Sequence, residues 1–216
     1  MKRLSILILI LFSTVYLFAQ EDSKDIRFAW GIIYRNENGE IKLADIENDV
    51  RLNQNEKFKF YLKPDNSTYL YLFYLSSEGE LTVLFPDKNM FHTYSRGAKS
   101  DIYIPASTEW FLLSLDDPDA ADKVYLLASS KKIKELDVLI KKFIDYTDKS
   151  RLENSDDIKD KIIQKIILTI KEHSQFVSYS VKPTSTAGGT RSVPVEGYYQ
   201  EISAKDFYAR IFEIKY

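Results

Sequence analysis

The chain has no cysteine in its 216 residues. That excludes disulfide bridges, thiolate metal sites, a cysteine nucleophile and lipid attachment at a cysteine behind a leader. Imidazole is almost absent too: only His92 and His173 occur, far apart and without the short spacing of a zinc-binding pair. Basic charge is not in surplus, since 30 Lys and Arg stand against 32 Asp and Glu. Phosphate neutralisation needs clustered cations, so nucleic acid is not an expected partner. Long apolar runs are confined to the N-terminus, and no later segment approaches the roughly 20 apolar residues of a spanning helix.

That one apolar run predicts where the chain goes. Lys2 and Arg3 precede a stretch from Leu4 to Phe18, and Ala19 sets a small residue beside Gln20 and Glu21. The pattern predicts a signal peptide over residues 1–19 with cleavage near Ala19, and a single domain over residues 20–216. The alternative is an uncleaved N-terminal anchor, against which stand the run's shortness and the lack of a basic flank behind it. Without its leader the chain keeps 28 basic and 32 acidic residues, a net charge of −4. An exported protein, periplasmic or extracellular, is expected.

Strand patterns fill the mature chain. Ile26, Phe28, Trp30, Ile32 and Tyr34 alternate with Arg27, Ala29, Gly31, Ile33 and Arg35, the period of a half-buried strand. Asn38-Gly39 then offers a hairpin turn toward a return strand over Ile41 to Ile46. Phe58, Phe60 and Leu62 alternate with lysines up to Pro64. Thr68 to Leu75 is apolar or aromatic on both faces, which predicts a strand covered on both sides. Ser76 to Glu80 reads as a turn, and Leu81 to Phe85, Ile102 to Ile104, Trp110 to Leu115 and Lys123 to Ala128 as further short strands.

From Lys131 the period lengthens. Ile133, Leu136, Leu139, Ile140, Phe143 and Ile144 recur at three- and four-residue steps, predicting an amphipathic helix to Tyr146. A second helix begins at Ser155, an N-cap residue with Asp156 and Asp157 in the first turn. Together they predict a helical hairpin at about 131–173. Lys182 to Pro194 reads as a flexible loop, and Asp206 to Tyr216 as the last strand. The whole is a mainly β (α+β) chain: an immunoglobulin-like β-sandwich of about seven strands with a two-helix insertion before the last one.

Chemistry is harder to find. His173 ends the second helix, where the macrodipole favours it, and His92 stands alone. Asp116, Asp117, Asp119 and Asp122 cluster in one loop, but calcium-loop spacing and its glycine are missing, so a solvated acidic loop is expected. No serine lies in an activating motif, and Gly188-Gly189-Thr190-Arg191 is too brief for a phosphate cradle. Asn66-Ser67-Thr68 is a sequon of low specificity. Fifteen Tyr and 13 Phe, concentrated in strands, bury large areas, and would stack on sugar rings if a stripe of them faced outward. No catalytic, cofactor-binding or metal residue is therefore assigned.

Several stretches in succession, Phe58-Lys-Phe-Tyr-Leu62, Tyr69-Leu-Tyr-Leu-Phe73, Gly79-Glu-Leu-Thr-Val-Leu-Phe-Pro86, Ile102-Tyr-Ile-Pro105, Val124-Tyr-Leu-Leu-Ala-Ser129 and Glu135-Leu-Asp-Val-Leu-Ile140, resemble the bacterial family called domain of unknown function 4384. The likeness spans about Asn53 to Ile144, with Ala204 to Ile214 similar to the family's tail. It implies a compact, mostly β domain of exported or surface-associated proteins, often joined elsewhere to protease, kinase or repeat modules. It implies no activity and brings no catalytic residues. The expectation is a non-enzymatic binding or accessory module of the cell envelope, its partner a protein or a glycan. The alternative is a hydrolase of envelope polymers whose carboxylates meet only in the fold.

Overall fold

The computed structural model describes residues 25–46, 50–53, 55–65, 68–87, 101–106, 108–112, 121–148, 155–173, 179–185 and 198–215. The expected leader over 1–19 lies outside them.

Among the described residues twelve strands form two sheets. The first carries β1 (Asp25–Arg35), β2 (Ile41–Leu43), β4 (Lys57–Pro64), β7 (Ile102–Ile104), β8 (Phe111–Leu112), β10 (Tyr179–Ser185) and β11 (Tyr198–Lys205). Its order is β10-β11-β1-β4-β7, with β2 beside β1 and β8 beside β4. The second carries β3 (Val50–Arg51), β5 (Tyr69–Leu75), β6 (Leu81–Phe85), β9 (Ala121–Ser129) and β12 (Phe207–Lys215), in the order β3-β12-β9-β5-β6. Pairing is antiparallel except between β12 and β3. Two helices, α1 (Lys134–Asp148) and α2 (Ser155–His173), separate β9 from β10.

The sheets face each other across one core. Phe28, Trp30 and Ile32 of β1 and Phe58, Phe60 and Leu62 of β4 meet Leu70 and Leu72 of β5, Val124 and Leu126 of β9, and Tyr208 and Phe212 of β12. Trp30 packs on Phe212 at 5.3 Å between ring centroids, and Phe28 meets Tyr208 edge-on at 5.5 Å. Each such fully buried side chain contributes about 1.5–3 kcal/mol through apolar area removed from water. The helices form a third layer on the outer face of the second sheet: Leu136, Ile140, Phe143, Ile158, Ile162 and Ile166 cover Tyr71, Phe73, Tyr125, Leu127 and Phe207. This explains why β5 is apolar on both faces. One face meets the opposite sheet and the other the helices.

Turn chemistry repeats at two hairpins. Gly39 and Gly79 take φ of 82° and 85°, and their N–H groups donate to the carbonyls of Asn36 and Ser76 at 2.9 Å. In both turns the side chain opening the loop, Asn36 Oδ1 or Ser76 Oγ, accepts the N–H of the glutamate that closes it.

The expected mainly β sandwich with a helix pair late in the chain is the fold observed. Its strands exceed the expected seven, and three strands, not one, follow the helices. Residues 182–185, expected as loop, lie in β10 at the sheet edge, where Pro183 is tolerated because an edge strand can spare a backbone donor. β11 was hidden by a weak alternation, since its inward positions are Gln200, Ile202 and Ala204. Among the described residues no helix is long and apolar enough to cross a membrane.

Candidate functional site

Of the residues singled out by chemistry, three are described and all serve the framework. His173 ends α2, and its ring stacks on Phe207 at 4.5 Å and 24°. Asp122, expected in a solvated loop, is instead buried in β9. Its carboxylate accepts the Tyr74 hydroxyl and, at 2.8 Å, the Ser77 N–H, tying the β5–β6 turn to the neighbouring strand. The sequon's Thr68 is also structural: its hydroxyl accepts the Arg27 N–H and donates to the Arg27 carbonyl, both at 3.1 Å. His92, Asp116, Asp117, Asp119, Asn66, Ser67 and Gly188 to Arg191 lie outside the described residues.

A shallow depression of about 530 Å³ is lined by Asn36, Glu37, Asn38, Asn53, Asn55 and Glu56. Its carboxylates are engaged in the turns that build it. Glu56 accepts the Asn53 N–H at 2.8 Å, and Glu37 accepts from the Asn55 amide at 3.3 Å. Among the described residues no three His, Asp or Glu side chains gather as a metal ion requires.

The outer face of the first sheet is different in kind. Strand alternation sends Ala29, Gly31, Ile33 and Arg35 of β1 and Lys57, Lys59, Tyr61 and Lys63 of β4 to that side. Ala29, Ile33 and Tyr61 there pack with Ile41, Leu43, Tyr103, Trp110 and Tyr199. Register places four residues in one row across four strands: Tyr103 pairs with Tyr61, Tyr61 with Gly31, and Gly31 lies level with Tyr199. The Tyr61 ring sits 5.4 Å from that of Tyr103 and 5.6 Å from that of Tyr199. Gly31 makes the second approach possible. A Cβ there would meet Leu43 Cδ2 at 3.2 Å and Tyr199 Cβ at 3.5 Å. The bare backbone lets two rings from strands that are not neighbours lean together.

Polar groups frame the row. The Tyr61 hydroxyl donates to Asp101 at 3.3 Å, and Asp101 pairs with Lys63 at 3.6 Å. Burial, reinforced by the charge of Asp101 and by Tyr199 and Tyr103, pushes the Tyr61 phenol well above its ordinary range, so it remains a donor. One step along the strands, the Trp110 ring lies 4.7 Å from the Arg35 guanidinium and 4.8 Å from the Lys59 ammonium. Desolvation pushes the Lys59 ammonium down, Arg35 adds to this and Glu109 opposes it. Tyr103, Tyr199 and Trp110 remain half-buried. Such an arrangement can bind a flat, partly apolar ligand with charged groups at its edges. Among the described residues it holds no nucleophile paired with a base.

Sequence reasoning placed Tyr61, Tyr103 and Trp110 in strands, assigned Tyr199 to none, and did not find their common row. The signal was there in Gly31, the gap in an otherwise full outward series. The family model DUF4384, domain of unknown function, matches residues 51–132. No curated protein and no solved structure matches the chain. The matched segment supplies Lys59, Tyr61, Asp101, Tyr103 and Trp110 of the open face, and it is over residues 51–132 that the chain is similar to the DUF4384 family.

Proposed function

We propose that the chain is an exported, non-enzymatic binding module of the cell envelope that engages a protein or glycan through the outer face of its first sheet. The observation that carries this reading is the Tyr103-Tyr61-Tyr199 row with Trp110 beside it, on a sheet face that neither helix covers. Tyr, Trp and Arg are the side chains that interfaces draw on most, because they offer large apolar area, a polar tip and little rotamer entropy to lose. The leader pattern over residues 1–19 supports export. The non-enzymatic part is supported by where the buried and partnered acids go: Asp122 to Tyr74 and Ser77, Asp137 to Tyr71, Glu56 to Asn53. A hydrolase would look to Glu37 and Glu56 in the polar depression, and these already act as acceptors in its turns.

Immobilised mature protein should retain one defined protein or glycan from envelope extract. A Tyr103→Ala, Trp110→Ala double variant with an unchanged circular dichroism spectrum should lose it. Equal retention by the variant, or repeated failure to retain anything, sinks the reading.

A further inference from the structure

Resting on the binding-module reading, we propose that the ligand of this face is an acidic polysaccharide, a chain of sugar rings carrying carboxylates. Shape is the first argument. The tyrosine row runs across the strands, with ring centroids 5.4 and 5.6 Å apart, from Tyr103 on β7 at the end of the sheet, over Tyr61 on β4, to Tyr199 on β11, the last two on strands with ladder partners on both sides. A peptide strand gains its affinity at a sheet edge, from unpaired backbone donors and acceptors. A sugar chain needs no such edge. It lays the apolar C–H face of each ring against an aromatic plane and turns its hydroxyls outward.

Hydroxyls need acceptors as well as donors, and the rim of the row has both. Asp101 lies beside Tyr61 and Lys63, Glu109 near Lys59, and Glu201 rises from β11 two positions from Tyr199. Charge then selects among glycans. Arg27, Arg35, Lys57, Lys59, Lys63 and Lys205 rise from this face by strand alternation, and so does Asp25, level with Lys205: six cations against four acids, in a chain whose net charge is −2. The excess is local and of opposite sign to the whole, so it complements an anionic ligand. It is also modest, and the acids beside the row oppose the dense charge of a nucleic acid duplex, about one per 1.7 Å of helix axis.

The mature full-length chain would be run through native gels containing polygalacturonate, neutral dextran or single-stranded DNA. Polygalacturonate should retard it, less so as salt is raised. A Tyr103→Ala, Tyr199→Ala variant should bind about tenfold more weakly, two stacking contacts being lost. Lys57→Gln with Lys63→Gln, both at exposed positions, should flatten the salt dependence without touching the rings. Equal retardation by dextran overturns the charge argument, and stronger retardation by DNA through the same tyrosines overturns the choice of glycan. If no polysaccharide binds while the envelope ligand is still lost with Tyr103 and Trp110, the proposal fails and the binding-module reading survives. If polygalacturonate binds the tyrosine variant undiminished, both fail.

Discussion

On the outer face of the second sheet, Tyr71, Phe73, Tyr125, Leu127 and Phe207 lie beneath two helices; on that of the first, Tyr61, Tyr103, Tyr199 and Trp110 lie beneath none. Residue types are nearly the same, and so is the way a phenol is anchored. Tyr71 donates to Asp137 at 2.9 Å and accepts the Ile133 N–H at 3.1 Å, which pins the start of α1 to the sheet. Tyr61 donates to Asp101 within its own layer. Aromatics on a strand therefore do not say whether their face is core or surface. What decides is whether another part of the chain brings an apolar stripe to cover them, and among the described residues one amphipathic helix pair does so, on the second sheet.

The comparison breaks first on stability. Leu136 and Ile162 are fully buried between the helices and the second sheet. Leu136→Ala and Ile162→Ala should each cost about 2–5 kcal/mol, as transfer and cavity terms add. Tyr103→Ala on the open face should cost about 1 kcal/mol or less, the ring being half-buried among the described residues. Urea unfolding of the three variants measures both. A loss at Tyr103 as large as at Ile162 would make the open face a second core and remove its claim to a ligand.

Most of the framework could be read directly from residues, and the reasons are local. Leu81–Phe85 and Ile102–Ile104 fall where the alternation and the following proline put them, and Gly39 and Gly79 turn where a positive φ is needed. Helix spacing from Ile133 onward found both helices. The rest depended on partners distant in sequence. β11 lacks a clear alternation because Gln200 faces inward, where it accepts from Arg210 at 3.3 Å. Asp122 looked like one more solvated acid, since its partners Tyr74 and Ser77 lie more than 40 residues away. The row itself joins β7, β4, β1 and β11, and no spacing along the chain encodes that register.

A smaller effect sharpens the same contrast at Gly31. Its neighbours leave little room, and Gly31→Val would force Leu43 and Tyr199 outward. The expected cost is about 1–3 kcal/mol, the range for overpacking. The near-ultraviolet circular dichroism of the tyrosines should change as the Tyr61–Tyr199 contact opens, while far-ultraviolet signal is kept. An unchanged near-ultraviolet spectrum would mean that the row does not depend on the missing side chain.

The smallest effect is a titration. Tyr61 and Tyr125 are both raised above the ordinary tyrosine value of 10.0, but for different reasons: burial leads at both, and only at Tyr61 does the Asp101 charge add to it. A phenol whose folded pKa is raised contributes stability that is complete below the unfolded value and is lost as pH climbs through the folded one. Lys59 on the same face has the opposite sign. Its folded pKa is lowered, so the penalty of holding a buried ammonium is full at neutral pH and is relieved as pH rises through the depressed value toward 10.5. Tyrosinate absorbance, followed against pH while circular dichroism reports folding, should show Asp101→Asn bringing one late phenol forward and leaving the others in place, because the charge that opposes ionisation of Tyr61 is gone while Tyr125 never felt it. A curve that Asp101→Asn does not move would separate Asp101 from the row, and with it the acceptor that the open face offers to a hydroxyl-rich ligand.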